Sequence, residues 1–466
     1  MGDETTTSLR NFFIFNPTLG TKEGEELKKI LYYHPVTDHV DVQIKNVGLV
    51  EGIINFTGTF GVSSDITSLH TQKTRQIFLE AEKNFWMVMI LNVPMTTKVK
   101  DGVSSPEYLE GAIQDKVYQS VLRQAYFIYR LFWNTFQNTT NKDGVDALKT
   151  RLEIFYSAYL KSLKLAHADI LNIFSGIQYL PLDKLTFLKV QCLINGLECD
   201  YPQVTHTAFL YNDHLIWSSV EPSDMQVLYH YLISTLLPAN LEVELQGGSM
   251  QRHSTSPFSA LRHGRFVTGP SNLKNAKTTG KVPRIYTFSG PTASCYHLIV
   301  YRVLSASLCL FVKAEKELDI DFFRKFDSYI SPKLTSLVSD IAEYCSKQVS
   351  SPSNVPENAP KFIYFNKFNL AYKSTVHLDN KQSGNVTISD EQLKIIADLN
   401  TNGSSIEDST ETVVKTLNDY WVVAKTSNYR EFYIVEQQRN AHLIDISKDI
   451  KTICETELKG IFFQPI

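Results

Sequence analysis

Three stretches of the chain repeat one pattern of apolar and polar positions. Each begins with an apolar, aromatic run that ends in asparagine: FFIFN at 12–16, AFLYN at 208–212 and FIYFN at 362–366. A turn and a second short apolar run follow. Two short apolar runs separated by turn residues are typical of a β-hairpin. The pattern therefore predicts three units that each open with a hairpin.

After each hairpin the spacing of the apolar residues becomes helical, then strand-like, then helical again. Helical patterns follow the hairpins at 44–60, 222–237 and 389–400, and Ser389 with Gln392 forms a capping-box pattern. The order is β-β-α-β-β(-β)-α in each unit, which predicts an α+β fold of antiparallel sheets with helices packed on them.

Composition shifts suggest where the units end. Residues 346–360 combine three prolines with serine and asparagine, which is typical of a linker. Residues 246–284 have little periodicity and are predicted to be a long basic loop. The predicted organisation is a first domain with extra helices at 1–200, a second domain at 201–346, a linker at 347–360 and a third domain at 361–466.

The 466 residues are 43% hydrophobic and 20% charged, which excludes a mainly disordered or fibrous chain. The six cysteines are sparse and form no C-x-x-C pair, so free thiols in a reducing compartment are expected. The start of the chain does not resemble a secretory signal, and the longest apolar run, at 85–91, is far too short to span a membrane. These features predict a cytoplasmic protein whose membrane contacts are peripheral.

Motifs of covalent chemistry are absent. The Gly280-Lys281 pair lacks the upstream glycine and the following Ser/Thr of a phosphate-binding loop, and no H-E-x-x-H or G-x-S-x-G motif occurs. The histidines lack the spacing of metal ligands. We therefore expect no enzymatic activity, no cofactor and no metal.

Residues 245–314 contain no acidic residue and nine basic ones, so this window carries +9 while the remainder of the chain carries −12. Such segregation indicates a surface for an anionic partner, either an anionic membrane or an acidic protein. The alternative is a solvated loop next to buried strands. Nucleic acid is not expected, because no aromatic residues are interleaved with the basic ones. The candidate membrane-binding residues are Arg252, Arg262, Arg265, Lys274, Lys277, Lys281 and Arg284.

The helix predicted at 44–60 has two apolar stripes, whereas a helix lying on a sheet needs only one. Gly48 and Gly52 lie one turn apart and leave room for another backbone. The helix is thus either a partner contact or buried inside an enlarged first domain. The candidate interface residues are Val47, Leu49, Val50, Ile53 and Phe56.

Longer stretches resemble one family. They include FFIFNPTLGTKEGEE at 12–26, SLHTQKTRQ at 68–76, TAFLYNDHLIWS at 207–218 and KFIYFNKFNLAYKSTVH at 361–377. In this order they resemble the animal version of the calcium–caffeine–zinc sensitivity (CCZ) vacuolar fusion proteins. The match is weakest at 246–262.

The resemblance implies three longin domains, each β-β-α-β-β-β-α, and pairing with a second tri-longin protein, the monensin-sensitivity (MON) subunit. It further implies that the heterodimer is a guanine-nucleotide exchange factor for a Rab-seven class GTPase, with the first longin domains of both subunits forming the GTPase site. In animals a β-propeller subunit joins. The complex is expected to move from the cytoplasm to late endosomal, lysosomal and autophagosomal membranes. A longin-type trafficking adaptor without exchange activity is the alternative.

Overall fold

A computed structural model describes most of the chain. The described residues are 5–59, 66–100, 103–168, 170–239, 264–270, 272–274, 280–290, 293–349, 361–376, 388–403, 410–438 and 442–458. Arg252, Arg262, Lys277 and Phe60, and the part of the predicted linker at 350–360, lie outside them.

The described strands form three antiparallel sheets and one separate hairpin. The first sheet contains β1 (Ser8–Phe15), β2 (Ile30–His34), β3 (Ser68–His70), β4 (Thr74–Glu82) and β5 (Phe85–Asn92), and the separate hairpin is β6 (Met95–Lys100) with β7 (Val103–Tyr108). The second sheet contains β8 (Val204–Tyr211), β9 (His214–Ser218), β10 (Gly264–Phe266), β11 (Arg284–Thr287), β12 (Ser294–Val303) and β13 (Ala306–Lys313). The third sheet contains β14 (Lys361–Asn366), β15 (Tyr372–Ser374), β16 (Thr410–Lys415), β17 (Tyr420–Ser427) and β18 (Arg430–Gln437).

All three sheets share one strand order. The first and third read 2-1-5-4-3 when their strands are numbered from the start of each unit, and the second reads β9-β8-β13-β12-β10 with β11 also on β12. In each sheet the opening hairpin pairs with the strand of that sheet that comes last in the chain, as Phe12 pairs with Met89 in β5. The prediction of three α+β units with antiparallel sheets is confirmed.

The helices alternate with these strands as the periodicity predicts. They are α1 (Val40–Gly58), α2 (Asp115–Trp133), α3 (Phe136–Asp143), α4 (Val145–Ser162), α5 (Leu171–Phe174), α6 (Lys184–Asp200), α7 (Pro222–Tyr231), α8 (Ile320–Val349), α9 (Asp390–Gly403) and α10 (Leu443–Glu457). The predicted capping box opens α9, where the Ser389 N–H donates to Gln392 Oε1 at 3.0 Å and the Gln392 N–H donates to Ser389 Oγ at 3.4 Å.

The first sheet has a core on each face because its strands are apolar on both sides. Phe12, Ile14 and Met87 pack beneath α2 and α4. Phe13, Phe78 and Val88 face the other way and pack beneath α1. This two-sided burial is what places α1 on the surface of the first unit.

The chain divides into two compact units, Met1–Ile173 and Phe174–Ile466. The second unit contains the second and third sheets. Helix α6 belongs to it, because Val190, Ile194 and Leu197 share a core with Leu334 and Leu337 of α8. The sequence prediction placed 184–200 with the first domain, since local periodicity does not show which sheet a helix covers.

The predicted loop at 246–284 also differs from the structure where it is described. Residues 264–266 form the strand β10, which pairs with β12. Arg284 is the first residue of β11, which also pairs with β12. Both strands are short, and their pairing with β12 spans a long sequence separation. Neither property leaves a local periodicity that could be read from the sequence.

Candidate docking face on the first domain

Two of the five candidate interface residues lie in the core. Val47 and Val50 are 3% and 0% exposed, and they pack on Phe13, Phe78 and Val88 of the first sheet. A partner cannot reach these side chains while α1 stays on its sheet. Val47 and Val50 are therefore structural residues, and their assignment to an interface is corrected.

The other side of α1 is exposed and apolar. Leu49 is 53% exposed and Phe56 is 64% exposed, while Ile53 between them is half-buried. Gly48 and Gly52 are exposed as well, and a Cβ added at either would meet no atom within 4 Å. We call Gly48, Leu49, Gly52, Ile53 and Phe56 the α1 outer face.

The equivalent helices of the other two domains do not show this feature. In α9 the exposed side chains between 391 and 398 are Glu391, Lys394 and Asp398. In α7 the side chains of Met225 and Leu228 are buried, and none of its exposed residues is large and apolar. The three helices share a topological position, so the fold does not require an apolar outer face. Because Leu49 and Phe56 are only 53% and 64% exposed, burying the remainder of each would contribute about 1–2 kcal/mol.

The described basic residues of the window lie on separate elements. Arg265 is half-buried on β10, directly opposite Arg302 on β12. Burial lowers the pKa of Arg265, and the charge of Arg302 lowers it further. Lys274, Lys281 and Arg284 are exposed. Like charges directly opposite each other are unfavourable in a sheet. Burial also lowers the pKa of Arg302, whereas the charge of Asp213 raises it and offsets part of this repulsion.

One arrangement imitates a hydrolase site. Ser68 Oγ donates to Asp115 Oδ2 at 2.5 Å, and His70 Nε2 contacts the same oxygen at 2.5 Å. A catalytic triad uses one ring nitrogen for the carboxylate and the other for the serine. Here Ser68 Oγ also lies 3.3 Å from His70 Nε2, so one nitrogen faces both groups. The cluster ties the edge strand β3 to the first turn of α2 and is not arranged for catalysis.

Neither a metal site nor a membrane span is found within the described part of the chain. No group of three His, Cys, Asp or Glu side chains there could hold a metal ion. No described helix is both long enough and apolar enough to cross a bilayer.

Three consecutive units with this strand order define a tri-longin protein. Residues 9–134 match the first longin domain of INTU, CCZ1 and HPS4. Residues 204–331 and 356–453 match Intu longin-like domains 2 and 3.

The chain is also similar over nearly its full length to proteins named vacuolar fusion protein CCZ1 homolog. It is 44% identical to that of Xenopus laevis over 457 residues, which cover 98% of this chain and 97% of the relative. For Nematostella vectensis the identity is 42% over 462 residues, 99% of each chain. For Dictyostelium discoideum it is 26% over 461 residues, 98% of each chain. The chain belongs to the CCZ1 vacuolar fusion protein family.

Proposed function

We propose that this protein is a subunit of a guanine-nucleotide exchange factor that acts in endosomal and lysosomal trafficking. The observation that carries the proposal is the α1 outer face, an exposed apolar surface that the equivalent helices lack. Membership of a family named for vacuolar fusion supports the trafficking role. Under this proposal the α1 outer face of the first longin domain contacts a MON-family subunit, and the two subunits together bind a Rab-seven class GTPase.

Exchange of this kind needs no covalent chemistry. A factor that binds the nucleotide-free GTPase more tightly than the nucleotide-bound form drives release of the nucleotide, because only differential affinity shifts an equilibrium. Displacement of the switch loops and the Mg²⁺ site of the GTPase is the expected route. The protein itself therefore needs no metal, no cofactor and no catalytic side chain. One subunit supplies half of the site, so the isolated chain should have little activity.

The pairing part of the proposal is tested by co-purification with the MON-family subunit. Leu49→Asp places a charge on the α1 outer face, and its desolvation should cost several kcal/mol at an apolar contact. We expect it to abolish pairing while the free chain stays folded, because Leu49 is 53% exposed. Leu188→Asp on α6 is the matched control, since Leu188 is 45% exposed. If Leu49→Asp recovers as much of the partner as the Leu188→Asp control does, the α1 outer face is not part of the interface.

We also propose that the basic window contacts an anionic membrane such as one containing phosphoinositides. A basic side chain near such a surface contributes about 1 kcal/mol. Reversing the exposed Lys274 and Lys281 to Glu should weaken binding of the complex to phosphatidylserine vesicles by roughly thirtyfold or more. Reversing the exposed Lys448 and Lys451 of α10 is the control. If both double variants sediment equally with vesicles, the membrane contact lies elsewhere in the complex.

A trafficking adaptor without exchange activity is the second candidate function. It predicts the same pairing and the same membrane binding but no release of nucleotide from the GTPase. A β-propeller subunit is expected as a third component in either case, with recruitment from the cytoplasm to late endosomal, lysosomal and autophagosomal membranes.

A further inference from the structure

The hairpin of β6 and β7 is separate from the sheet of the first domain. Its strands pair with each other, from Met95 opposite Tyr108 to Lys100 opposite Val103, and with no other described strand. At its root Tyr108 packs against the core beneath α2 and α4. A two-stranded hairpin without further packing is marginally stable in water. The outer part of this hairpin would therefore be stabilised by a third strand.

The register of the hairpin shows which backbone groups point outward. In an antiparallel pair, residues that hydrogen-bond to the opposite strand alternate with residues whose N–H and C=O point away from it. The Leu109 N–H donates to the Pro94 carbonyl at 2.8 Å, so these two residues form a bonded pair. Counted along the register from there, Met95, Thr97 and Val99 direct their N–H and C=O groups away from β7.

The outer edge of β7 is interrupted, whereas that of β6 is not. Pro106 lies opposite Thr97, in a pair whose backbone groups point outward, and proline has no N–H to offer. A strand added on β7 would therefore lack a hydrogen bond at its centre. On β6, Thr97 and Val99 keep both groups, and Thr97 is exposed. No hydrogen bond to these outward groups is found within the described residues.

The first position of the β6 edge already has a partner. The Thr5 N–H donates to the Met95 carbonyl at 3.1 Å, and the Met95 N–H donates to Thr5 Oγ1 at 2.9 Å. These bonds confirm that Met95 points outward, and they show that another segment of backbone can approach this edge. The N–H and C=O groups of Thr97 and Val99 remain, about 7 Å apart along the strand. An extended backbone presents donors and acceptors at that spacing, so the ligand that fits is a β-strand.

The hairpin leaves the sheet beside the N-terminal half of α1. It follows β5, whose last residue, Asn92, pairs with Thr74, and Thr74 borders the same cleft between α1 and the sheet as Val42 does. Val42 is exposed, as are Val36 and Val40 just before and at the start of α1. A partner that covers these side chains is within reach of the hairpin, whose six-residue strands are about 20 Å long.

We propose that the outer edge of β6 receives an extended segment of the MON-family subunit, which adds a third strand to the hairpin. The backbone of that segment donates to the Thr97 and Val99 carbonyls and accepts from their N–H groups. Main-chain bonds of this kind give affinity with little demand on the side chains of the added strand. The inference rests on the proposed function, since it takes the MON-family subunit as the partner seated on α1.

The test is Thr97→Pro in the full chain, which removes one outward N–H and places a ring on the β6 edge. The hairpin itself does not use this N–H, so the unfolding temperature of the free chain should not fall. Binding of the purified MON-family subunit, measured by calorimetry, should weaken about tenfold. Ser104→Pro is the matched control, because it removes an outward N–H from the β7 edge that Pro106 already interrupts. Thr97→Val keeps the N–H, and both of these variants should bind as the unaltered chain does.

Two results would overturn the proposal. One is equal affinity of the Thr97→Pro and Ser104→Pro variants. The other is a lower unfolding temperature of the free Thr97→Pro chain, because the edge would then already be paired within the chain. Hydrogen exchange gives an independent readout, since the Thr97 and Val99 amides should exchange more slowly in the complex than in the free chain. Equal exchange in both would show that no strand is added.

Leu49→Asp separates this inference from the docking face. If Leu49→Asp abolishes pairing and Thr97→Pro leaves it unchanged, the hairpin proposal fails and the α1 outer face stands. If Thr97→Pro weakens pairing and Leu49→Asp does not, the strand contact stands and the α1 outer face is not part of the interface. If the MON-family subunit does not bind the unaltered chain, both fail.

Discussion

Three partly buried histidines of the second domain are held neutral by their surroundings. Burial lowers the pKa of His214 and His230, and for His297 the charge of Arg284 adds to the effect of burial. In the unfolded chain each imidazole returns to a pKa of about 6.5. The unfolded state therefore binds more protons than the folded state once the pH drops below that value.

This difference makes stability pH-dependent with a definite sign. Well above pH 6.5 the histidines are neutral in both states, and their contribution to stability is constant. As the pH falls through about 6.5 toward the lower folded pKa, stability is lost. We expect the urea concentration at the unfolding midpoint to decrease when the pH is lowered from 7.5 to 5.5. In the His230→Gln variant this decrease should be smaller. An identical pH dependence in the variant would show that His230 titrates in the folded state as it does in the unfolded one.

The α1 residues show how far the candidate site could be predicted. The sequence reveals two apolar stripes and two glycines, which is enough to single out the helix. Val50 and Leu49 are neighbours in the chain yet point about 100° apart. Only the sheet decides which of them is inside, because Phe13 and Phe78 are placed by strands distant in sequence.

At the scale of elements, the segment 174–182 joins the two sheets of the second unit. The Ile177 N–H donates to the Leu370 carbonyl at 2.7 Å, and the Ile177 carbonyl accepts from Tyr372 N–H at 2.8 Å, on the β15 side. Three residues later the Leu180 N–H donates to the Leu215 carbonyl of β9 at 2.9 Å. One stretch of chain thus covers an edge strand of each sheet, and uncovered edges are sites of unwanted pairing.

Gly176 allows this segment to approach the third sheet. A Cβ at this position would lie 2.2 Å from Tyr372 Cβ, so Gly176→Val should force the two backbones apart. We expect that, when the chain is cut at an engineered protease site between Pro352 and Pro356, the two fragments co-elute on size exclusion if Gly176 is present. The fragments should separate in the Gly176→Val variant. Gly196→Ala is the control, because its Cβ would make only an ordinary 3.5 Å contact with Tyr329 Oη; co-elution of the valine variant's fragments would contradict this role.

The repeated helices and strands could be predicted from the sequence, but which of them pack or pair with each other was harder to predict. A hairpin opening leaves a local signal: Asn16 directly follows β1, Asn366 ends β14, and the side chain of each accepts a hydrogen bond from the backbone N–H two residues on. Asn212 lies in the equivalent turn of the second domain and adopts a left-handed backbone conformation, with a φ of 51°. By contrast, the placement of α6 and of the strands β10 and β11 depends on contacts with α8 and β12. Such contacts join residues far apart in sequence, and local periodicity carries no record of them.

At the scale of the whole molecule, apolar exposure is concentrated in one region. Of the fifteen large apolar side chains that the described residues expose, six fall between 27 and 56: Leu27, Val36, Val40, Val42, Leu49 and Phe56. This stretch is a small fraction of 466 residues, so the concentration is not the scatter expected of an ordinary surface. A partner that covered these side chains on the first unit would gain free energy from their burial.

Release of a fluorescent nucleotide from a Rab-seven class GTPase tests most directly whether the α1 outer face takes part in nucleotide exchange. The complex with the MON-family subunit should accelerate release in proportion to its concentration, and this chain alone should not. At concentrations where the control Leu188→Asp complex is fully active, Leu49→Asp should reduce the rate to that of the GTPase by itself. Release that stays at the intrinsic rate with the intact complex would contradict the account and leave the adaptor function in its place.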